Sequence, residues 1–343
     1  MRHQKKRWFA ASLVLCMLLS ILPSTSLAFS ESEETWSGNR RNQTIDGGTH
    51  TITLSNLTID SPGVEKSAID ITGNADVTFI LEGNNTLRGY RNHPAIWVES
   101  GSSVTFEGNG LLEASAGGAS IGLGAAGIGG GYGASSNFGN ITINGGTIIA
   151  QGSGGGAGIG GGYEVGSGTV TGNVTINGGY VTAIGGSSGS TGGAGIGSGE
   201  NANYSGTVTI NGGVVYAEGG ADSTSIGRGN RAIGTSDNGA FTTGTGGNAV
   251  IVAPDGIGDP SGFADWDGIF ISYEGSNTSA TVGEDGTVHL NDTEANIQVW
   301  GEPVIDYPLV VESGTELRVV QNDRNYAYAT LEIGQDGKLT NNG

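Results

Sequence analysis

The sequence has almost no cysteine. Cys16 is the only one among 343 residues, and it lies in an apolar stretch near the N-terminus. A chain without further cysteines has neither disulfide cross-links nor thiolate metal sites. We therefore expect hydrogen bonding and packing to hold the protein together.

Apolar residues spaced three and four apart, which would indicate amphipathic helices, are also missing beyond the N-terminal stretch. Apolar and polar residues alternate instead in short β-branched segments, such as Ile141-Thr142-Ile143. Alternation of this kind is typical of strands with one buried face. The sequence thus predicts an all-β protein with almost no helix.

Basic residues are scarce, at 14 against 33 acidic ones, and the formal net charge is −19. Between Gly117 and Ile226 there is no Lys, Arg or His. Such a chain repels nucleic-acid phosphates and anionic membrane surfaces. We expect no nucleic-acid partner, and we expect the acidity to provide solubility outside the cell or to bind a divalent cation.

Residues 1–28 have the pattern of a secretory signal peptide. The basic segment MRHQKKR precedes the apolar run WFAASLVLCMLLSILP, and Ser26-Leu27-Ala28 fits cleavage after Ala28. The apolar run is too short to be a stable membrane span. We expect a secreted or cell-surface protein with no membrane insertion once the signal is removed.

Glycine is abundant, at 67 residues, and it belongs to a repeating pattern. A threonine recurs in apolar-Thr-apolar triplets at steps of 25, 27, 37, 33 and 34 residues: Thr53, Thr78, Thr105, Thr142, Thr175 and Thr209. An isoleucine recurs at steps of 27, 32, 31, 37 and 30 residues: Ile69, Ile96, Ile128, Ile159, Ile196 and Ile226. Because the two columns advance together, they define a structural repeat of about 25–37 residues.

The dipeptide Asn-Gly, within Asn-Gly-Gly, separates the last two strands of several repeats. In a hairpin this turn would fold the second strand back onto the first, whereas in a solenoid it would turn a corner. Several repeats in series favour the solenoid. We therefore predict a parallel β-helix in which Ile and Val fill the interior, Thr forms an outward column, and glycines recur at corners and where backbones pack closely.

The pattern divides the chain into four segments. We assign residues 1–28 to the signal peptide, 29–254 to the repeat domain, 255–268 to an acidic loop, and 269–343 to short β coils. Trp36 is the candidate plug for the N-terminal end. The last residues, LTNNG, have no capping pattern, so we expect the sequence to continue into a longer protein.

The segments SAIDITGNADVTFILEGNNTLRG, PAIWVESGSSVTFEGNGLLEASAG and the repeated AGIGGG and VTINGG units resemble secreted Gram-positive surface proteins. The resemblance is to right-handed parallel β-helix domains of the carbohydrate-binding type, which are related in fold to polysaccharide lyases. It covers roughly residues 45–343. It implies a right-handed helix and binding of a polysaccharide or cell-surface glycan.

Aromatic side chains with polar neighbours are the candidate sugar-binding groups, because flat rings provide apolar area at low entropic cost. Tyr132 and Tyr163 each follow a column isoleucine by four residues, so we expect the two rings to stack on one face. A second group lies in the loop before a strand: Tyr90, Arg91, His93 and Trp97. The alternative is that Trp97 packs in the core and the two tyrosines are spacers.

An acidic cluster is the candidate metal site, with Ca²⁺ as the only cofactor that the sequence suggests. Hard cations bind several oxygen ligands held close together. The cluster comprises Asp255, Asp259, Asp265 and Asp267. The alternative interpretation is a solvated acidic loop.

The function that we expect is non-catalytic binding of polysaccharide, or adhesion at the cell surface. A polysaccharide lyase or hydrolase acting on acidic glycans is the alternative, and a structural spacer is the third possibility. The basic groups needed for lyase chemistry are concentrated in Arg228 and Arg231, close to Asp222 and Asp237. No Ser/His/Asp arrangement is convincing.

Overall fold

The computed structural model describes residues 34–60, 63, 65–118, 123–133, 136–166, 168–230, 238–243, 249–258, 268–273, 280–282, 287–290, 295–300, 304–305, 308–311, 332–333 and 338–341. The regular elements named below are all β-strands. The described residues contain no α-helix. The all-β prediction is confirmed. The predicted signal peptide, residues 1–28, lies outside the described residues.

The strands are short, and the longest that we describe has 12 residues. The first half of the chain contains β1 (Glu34–Asn39), β2 (Gln43–Asp46), β3 (Thr49–Asp60), β4 (Ile69–Thr72), β5 (Asp76–Glu82), β6 (Asn84–Arg88), β7 (Ile96–Val98), β8 (Ser103–Gly108), β9 (Leu111–Ser115), β10 (Ile128–Gly129), β11 (Asn140–Ile143), β12 (Thr147–Gln151), β13 (Ile159–Gly160) and β14 (Thr169–Val170). The next strands are β15 (Asn173–Ile176), β16 (Tyr180–Ile184), β17 (Ser187–Ser188), β18 (Thr191–Gly192), β19 (Ile196–Gly197), β20 (Asn203–Ile210), β21 (Val214–Glu218), β22 (Ile226–Gly227), β23 (Asn238–Thr243) and β24 (Ala249–Val252). The last are β25 (Gly268–Tyr273), β26 (Ala280–Val282), β27 (Val288–Leu290), β28 (Ala295–Trp300), β29 (Val304–Ile305), β30 (Pro308–Val311), β31 (Glu332–Ile333) and β32 (Lys338–Asn341).

Three series of strands pair in parallel with their counterparts one repeat away. The first series is β5, β8, β11, β15, β20 and β23. The second is β6, β9, β12, β16, β21 and β24, and the long β3 joins it to the first. The third is β2, β4, β7, β10, β13, β19 and β22. Long parallel sheets with this repeating connectivity are consistent with a β-solenoid.

The predicted isoleucine column exists in the third series. Ile96 pairs with Ile69 on one side and with Ile128 on the other, and the same register continues to the end of the column. The remaining members are Ile159, Ile196 and Ile226. All six side chains are buried, because successive residues of a strand point to opposite faces and these point inward.

The threonine column is also in register, with one correction. Thr78, Thr105, Thr142, Thr175 and Thr209 pair in succession, as predicted. Thr53, however, lies opposite Ile80, and the residue opposite Thr78 is Thr51. A shift by two residues keeps a side chain on the same face, so the alternating pattern alone does not distinguish the two threonines. Thr242 extends the column by one repeat, where its hydroxyl lies 2.8 Å from that of Thr209.

The Asn-Gly-Gly segments turn corners, as the solenoid prediction required. Residues 144–146 connect β11 to β12, and each of these strands pairs in parallel with its own series. The corner asparagines form a ladder: Asn177 Nδ2 donates to Asn144 Oδ1 at 2.8 Å, and Asn211 Nδ2 donates to Asn177 Oδ1 at 2.7 Å. At the other end, Asn144 donates to Glu107 at 3.1 Å. A side-chain amide can take part in such a ladder because it both donates and accepts.

A column of glycines follows the isoleucines, and its backbone geometry explains why no other residue occupies it. Gly129, Gly160, Gly197 and Gly227 have φ between 129° and 138°, where L-residues are strained. A Cβ on Gly160 would lie 1.9 Å from the carbonyl oxygen of Gly197. The coils approach closely at this column, and the N–H of Gly161 donates to that same oxygen at 2.8 Å.

Aromatic side chains fill parts of the interior. Trp36, the predicted N-terminal plug, is buried in β1, with its ring centroid 6.3 Å from that of Phe79. Phe138 stacks on Tyr204 at 6.3 Å with an interplanar angle of 12°. The Tyr204 hydroxyl donates to the carbonyl oxygen of Gly172 at 3.0 Å, and burial raises the pKa of this phenol, so it stays protonated.

Strand pairing changes after the sixth column isoleucine. The strand β25 extends the second series in parallel beside β24, and β28 then pairs antiparallel with β25. In the third series, Ile226 forms a parallel bridge with Ile257. Further along, β27, β30 and β32 pair in parallel. Most of the predicted acidic loop, residues 259–267, lies outside the described residues.

Candidate functional site

A cavity of about 460 Å³ opens beside the third series of strands. It brings together four of the six residues predicted to bind a sugar: Arg91, His93, Trp97 and Tyr132. The remaining lining residues are Glu65, Lys66, Asp70, Asn92, Pro94 and Gly131. The other two predicted residues, Tyr90 and Tyr163, do not line the cavity but contact residues that do.

Two neighbouring strands present the floor of the cavity. Asp70 in β4 and Trp97 in β7 lie directly opposite each other in the parallel register. Both side chains point outward and are half-buried, because the residues on either side of each are buried in the core. The next residue in this outward column is Gly129, which has no side chain. The column thus changes to glycine beside the indole ring, where the coils approach closely: a Cβ on Gly129 would lie 2.1 Å from the carbonyl oxygen of Gly160.

The predicted tyrosine stack is present. The ring centroids of Tyr132 and Tyr163 are 5.7 Å apart and the rings are inclined by 19°. Both side chains are half-buried, and the N–H of Gly133 donates to the carbonyl oxygen of Tyr163 at 2.8 Å. Tyr132 forms part of the cavity wall, and the stack continues away from the cavity to Tyr163, so the aromatic surface is longer than the cavity itself.

A tight loop forms the outer rim. Arg91 and Asn92 have φ of 35° and 36°, an unusual conformation for residues other than glycine. The Arg91 guanidinium lies 5.4 Å from the ring centroid of Tyr90 and 3.4 Å from a carboxylate oxygen of Glu65. The side chains of Arg91 and Glu65 are 62% and 69% exposed, so this ion pair contributes little to stability. The guanidinium therefore remains accessible to a ligand.

Two buried polar atoms among the lining residues lack hydrogen-bond partners within the described part of the chain: Trp97 Nε1 and Asn92 Oδ1. The first is a donor and the second an acceptor. Leaving a buried polar atom unsatisfied costs about 1–3 kcal/mol. Neither atom is exposed to solvent in this structure, so a ligand reaches them only if neighbouring side chains move.

Charged groups around Asp70 oppose one another. Desolvation by burial raises the pKa of the Asp70 carboxyl, while the Ser67 side chain and the positive charges of Lys66 and His93 lower it. The desolvation is the larger effect. The carboxyl therefore binds a proton more readily than an exposed aspartate does.

Sequence reasoning missed Lys66 and Asp70, although the repeat contains a signal for them. Lys66 precedes Ile69 by three residues, as His93 precedes Ile96, and Asp70 follows its isoleucine directly, as Trp97 does. Residues at equal offsets from the column isoleucine lie close together when coils stack in register. Comparing offsets, in addition to reading motifs, would have grouped the four residues.

The predicted calcium site stays a prediction. Asp255 is described, and its carboxylate accepts a hydrogen bond from the N–H of Gly219 at 2.9 Å. The other predicted ligands, Asp259, Asp265 and Asp267, lie outside the described residues. Among the described residues, no group of three or more His, Cys, Asp or Glu side chains could hold a metal ion.

The predicted lyase-like cluster is described only in part. Asp222 has a positive φ of 52° in the turn before β22, and Arg228 follows that strand. The carbonyl oxygen of Arg228 accepts a hydrogen bond from the Thr224 hydroxyl at 2.9 Å. Arg231 and Asp237 lie outside the described residues. Basic side chains are instead brought together in the cavity.

The part of the chain that the structure describes has no helix long and apolar enough to cross a membrane. Comparison with protein-family models, with curated proteins and with solved structures found no match for this chain. The resemblance to Gram-positive surface proteins therefore remains an expectation from the sequence, and the proposed function must be argued from the cavity.

Proposed function

We propose that this protein is a non-catalytic polysaccharide-binding module and that the cavity around Trp97 is its binding site. The observation that carries the proposal is a cavity lined by the Trp97 indole and by Tyr132, whose ring stacks on that of Tyr163. Sugar rings have apolar faces that pack on aromatic rings, and hydroxyl groups that both donate and accept. The cavity has aromatic side chains for the first and polar side chains for the second.

The shape of the site supports an extended ligand. The stack of Tyr132 and Tyr163 continues the aromatic surface along the solenoid axis, from the cavity wall into the next coil. A sugar held at Trp97 would leave neighbouring sugars of the same chain near these rings. We therefore propose an oligosaccharide or polysaccharide as the ligand, bound by several rings in succession.

The test is titration of defined oligosaccharides into the purified protein, followed by calorimetry. Trp97→Ala is expected to weaken binding about thirtyfold or more, because a truncated tryptophan at the centre of a site typically costs at least about 2 kcal/mol. Trp97→Phe keeps an aromatic ring but removes the Nε1 donor, so we expect a smaller loss. Tyr132→Ala is expected to weaken long ligands more than short ones.

Tyr180→Ala is the matched control, because Tyr180 begins β16 in another sheet and does not line the cavity. Circular dichroism establishes that each variant is folded. The proposal is wrong if no oligosaccharide binds, or if Tyr180→Ala weakens binding as much as Trp97→Ala does.

We further propose that the solenoid is a right-handed parallel β-helix, since connections between parallel strands of one sheet are right-handed in about 98% of cases. With the N-terminal pattern of the sequence, this favours a secreted or cell-surface protein that binds glycans as part of adhesion. A structural spacer would need no such cavity. Loss of binding in the Trp97 variants would therefore argue against a spacer role.

Catalysis on acidic glycans is the alternative, and the basic side chains of the cavity are the observation that favours it. Lys66, Arg91 and His93 are the kinds of group that neutralise a uronate and remove a proton from it. Lyase activity would release unsaturated uronides, which absorb ultraviolet light. Incubation with uronic-acid polymers, with and without Ca²⁺, separates this alternative from binding alone.

A further inference from the structure

The cavity contains an unusual concentration of basic side chains for this chain, together with two acidic ones, Glu65 and Asp70. Three basic side chains line it, Lys66, Arg91 and His93, although the sequence has only 14 Lys and Arg residues against 33 acidic ones. The coils that follow, from Gly117 to Ile226, have no Lys, Arg or His. Basic side chains are thus denser at the cavity than in these later coils.

These cations are only partly engaged with the protein. Arg91 pairs with Glu65, but both side chains are largely exposed. No carboxylate of the described residues lies within ion-pair distance of Lys66, although Lys66 and His93 are near enough to Asp70 to act on its charge. The protein thus holds the Lys66 ammonium beside the cavity without neutralising it by direct contact with a carboxylate.

We infer that the saccharide bound in this cavity carries an anionic group, which Lys66 and His93 bind on one side while Trp97 packs against the sugar ring. This inference rests on the proposed function and specifies its ligand. A carboxylate, a sulfate or a phosphate on the sugar would have the required chemistry, because each offers several strong acceptors to the ammonium and imidazole donors. Arg91, at the rim, would add a second cation for the neighbouring sugar.

Asp70 sets the selectivity of this arrangement. It lies opposite Trp97 in the sheet register, and Glu65 is the other acidic residue that lines the cavity. The negative charge of Asp70 repels an anionic group held close to the floor. We expect the anionic group to lie nearer the rim, where Lys66 is exposed and solvent screens Asp70.

The experiment compares oligosaccharides of one length that differ in charge: an oligouronate, its carboxyl-reduced neutral form, and a sulfated neutral oligosaccharide. At low salt we expect the anionic ligands to bind about tenfold tighter than the neutral one, and to lose this advantage as the salt concentration rises. Lys66→Gln and His93→Gln should each weaken anionic binding by about three- to tenfold and weaken neutral binding less. Lys66→Arg should restore most of the loss.

Arg88→Gln is the matched control, because Arg88 is an exposed cation at the end of β6 that does not line the cavity. It removes one positive charge without touching the proposed site. Preference for the oligouronate alone, or for the sulfated sugar alone, identifies the anionic group and supports the inference.

Two results overturn it. Equal affinity for the oligouronate and its neutral form would refute the anionic ligand while leaving saccharide binding intact, as would equal weakening of both by Lys66→Gln. Absence of binding to every saccharide would refute the proposed function and the inference together.

Discussion

Substitution of Gly160 by alanine tests the closest approach between coils. Gly160 has a φ of 136°, and a Cβ placed on it would lie 1.9 Å from the carbonyl oxygen of Gly197 in the next coil. That oxygen belongs to the backbone, so it cannot rotate away as a flexible side chain would. The coils must separate, and the hydrogen bond from the N–H of Gly161 to the same oxygen must lengthen from 2.8 Å.

Three contributions determine the expected loss. A positive φ at an L-residue costs about 1–2 kcal/mol. Overpacking of a close contact costs about 1–3 kcal/mol. Weakening of one backbone hydrogen bond adds about 1 kcal/mol. We therefore expect Gly160→Ala to lower the free energy of unfolding by about 3–6 kcal/mol, a large fraction of the total for an ordinary domain.

The assay is unfolding in guanidinium chloride, followed by far-ultraviolet circular dichroism. Gly166→Ala is the matched control, because Gly166 also has a positive φ, 99°, but no atom lies within 4 Å of its added Cβ. It should cost only the conformational strain, about 1–2 kcal/mol. If Gly160→Ala is no more destabilising than Gly166→Ala, the coils do not approach as closely as we describe.

Two further predictions concern the corner ladder and the cavity. Asn177→Ala removes two side-chain hydrogen bonds, at 2.8 and 2.7 Å, and is expected to lower the free energy of unfolding by about 1–2 kcal/mol. Asn173→Ala is the comparison in a second ladder, because it removes a bond of 3.0 Å to Asn140 Oδ1 and one of 3.0 Å from the N–H of Thr207. A null effect of both would show that the ladders add nothing to stability. Binding of an oligouronate is measured in a His93→Gln background, so that the imidazole does not titrate. The pKa of Asp70 is raised above the ordinary aspartate value of about 3.9. We expect binding to tighten as the pH falls from about 7 towards that raised pKa, because protonation of Asp70 removes a negative charge beside Lys66. This increase should disappear in Asp70→Asn, and its persistence there would assign it to another group.

The architecture could be predicted from the sequence because its repeat carries two independent columns. Ile96 and Ile128 lie opposite each other, and so do Thr105 and Thr142. The one error, at Thr53, occurred where β3 alternates threonine over several positions and thus offers more than one equivalent register. Nothing in the alternation itself distinguishes registers that differ by two residues; only pairing with the next coil does.

The site was predictable in part, for a different reason. The stacking of Tyr132 on Tyr163 could be predicted because each tyrosine follows a column isoleucine by four residues in the sequence. Lys66 and Asp70 were missed because neither belongs to a motif and each is ordinary on an acidic surface. Their role depends on the neighbouring coil, where the same two positions hold His93 and Trp97. The unsatisfied Trp97 Nε1 depends on side-chain packing, which no sequence pattern reveals.

The outward column beside the isoleucines gives a reason for the cavity in these coils. Its residues change from Asp70 and Trp97 to glycines from Gly129 onward, while the inward isoleucine is retained throughout. Glycine there permits close approach of coils but offers no functional group. The early coils have larger outward residues and polar loops instead. Because inward packing holds the coils in register in both regions, the outward residues of two adjacent coils can be exchanged for binding groups without loss of the fold. A cavity with an aromatic floor and a charged rim is the expected product where two such coils adjoin.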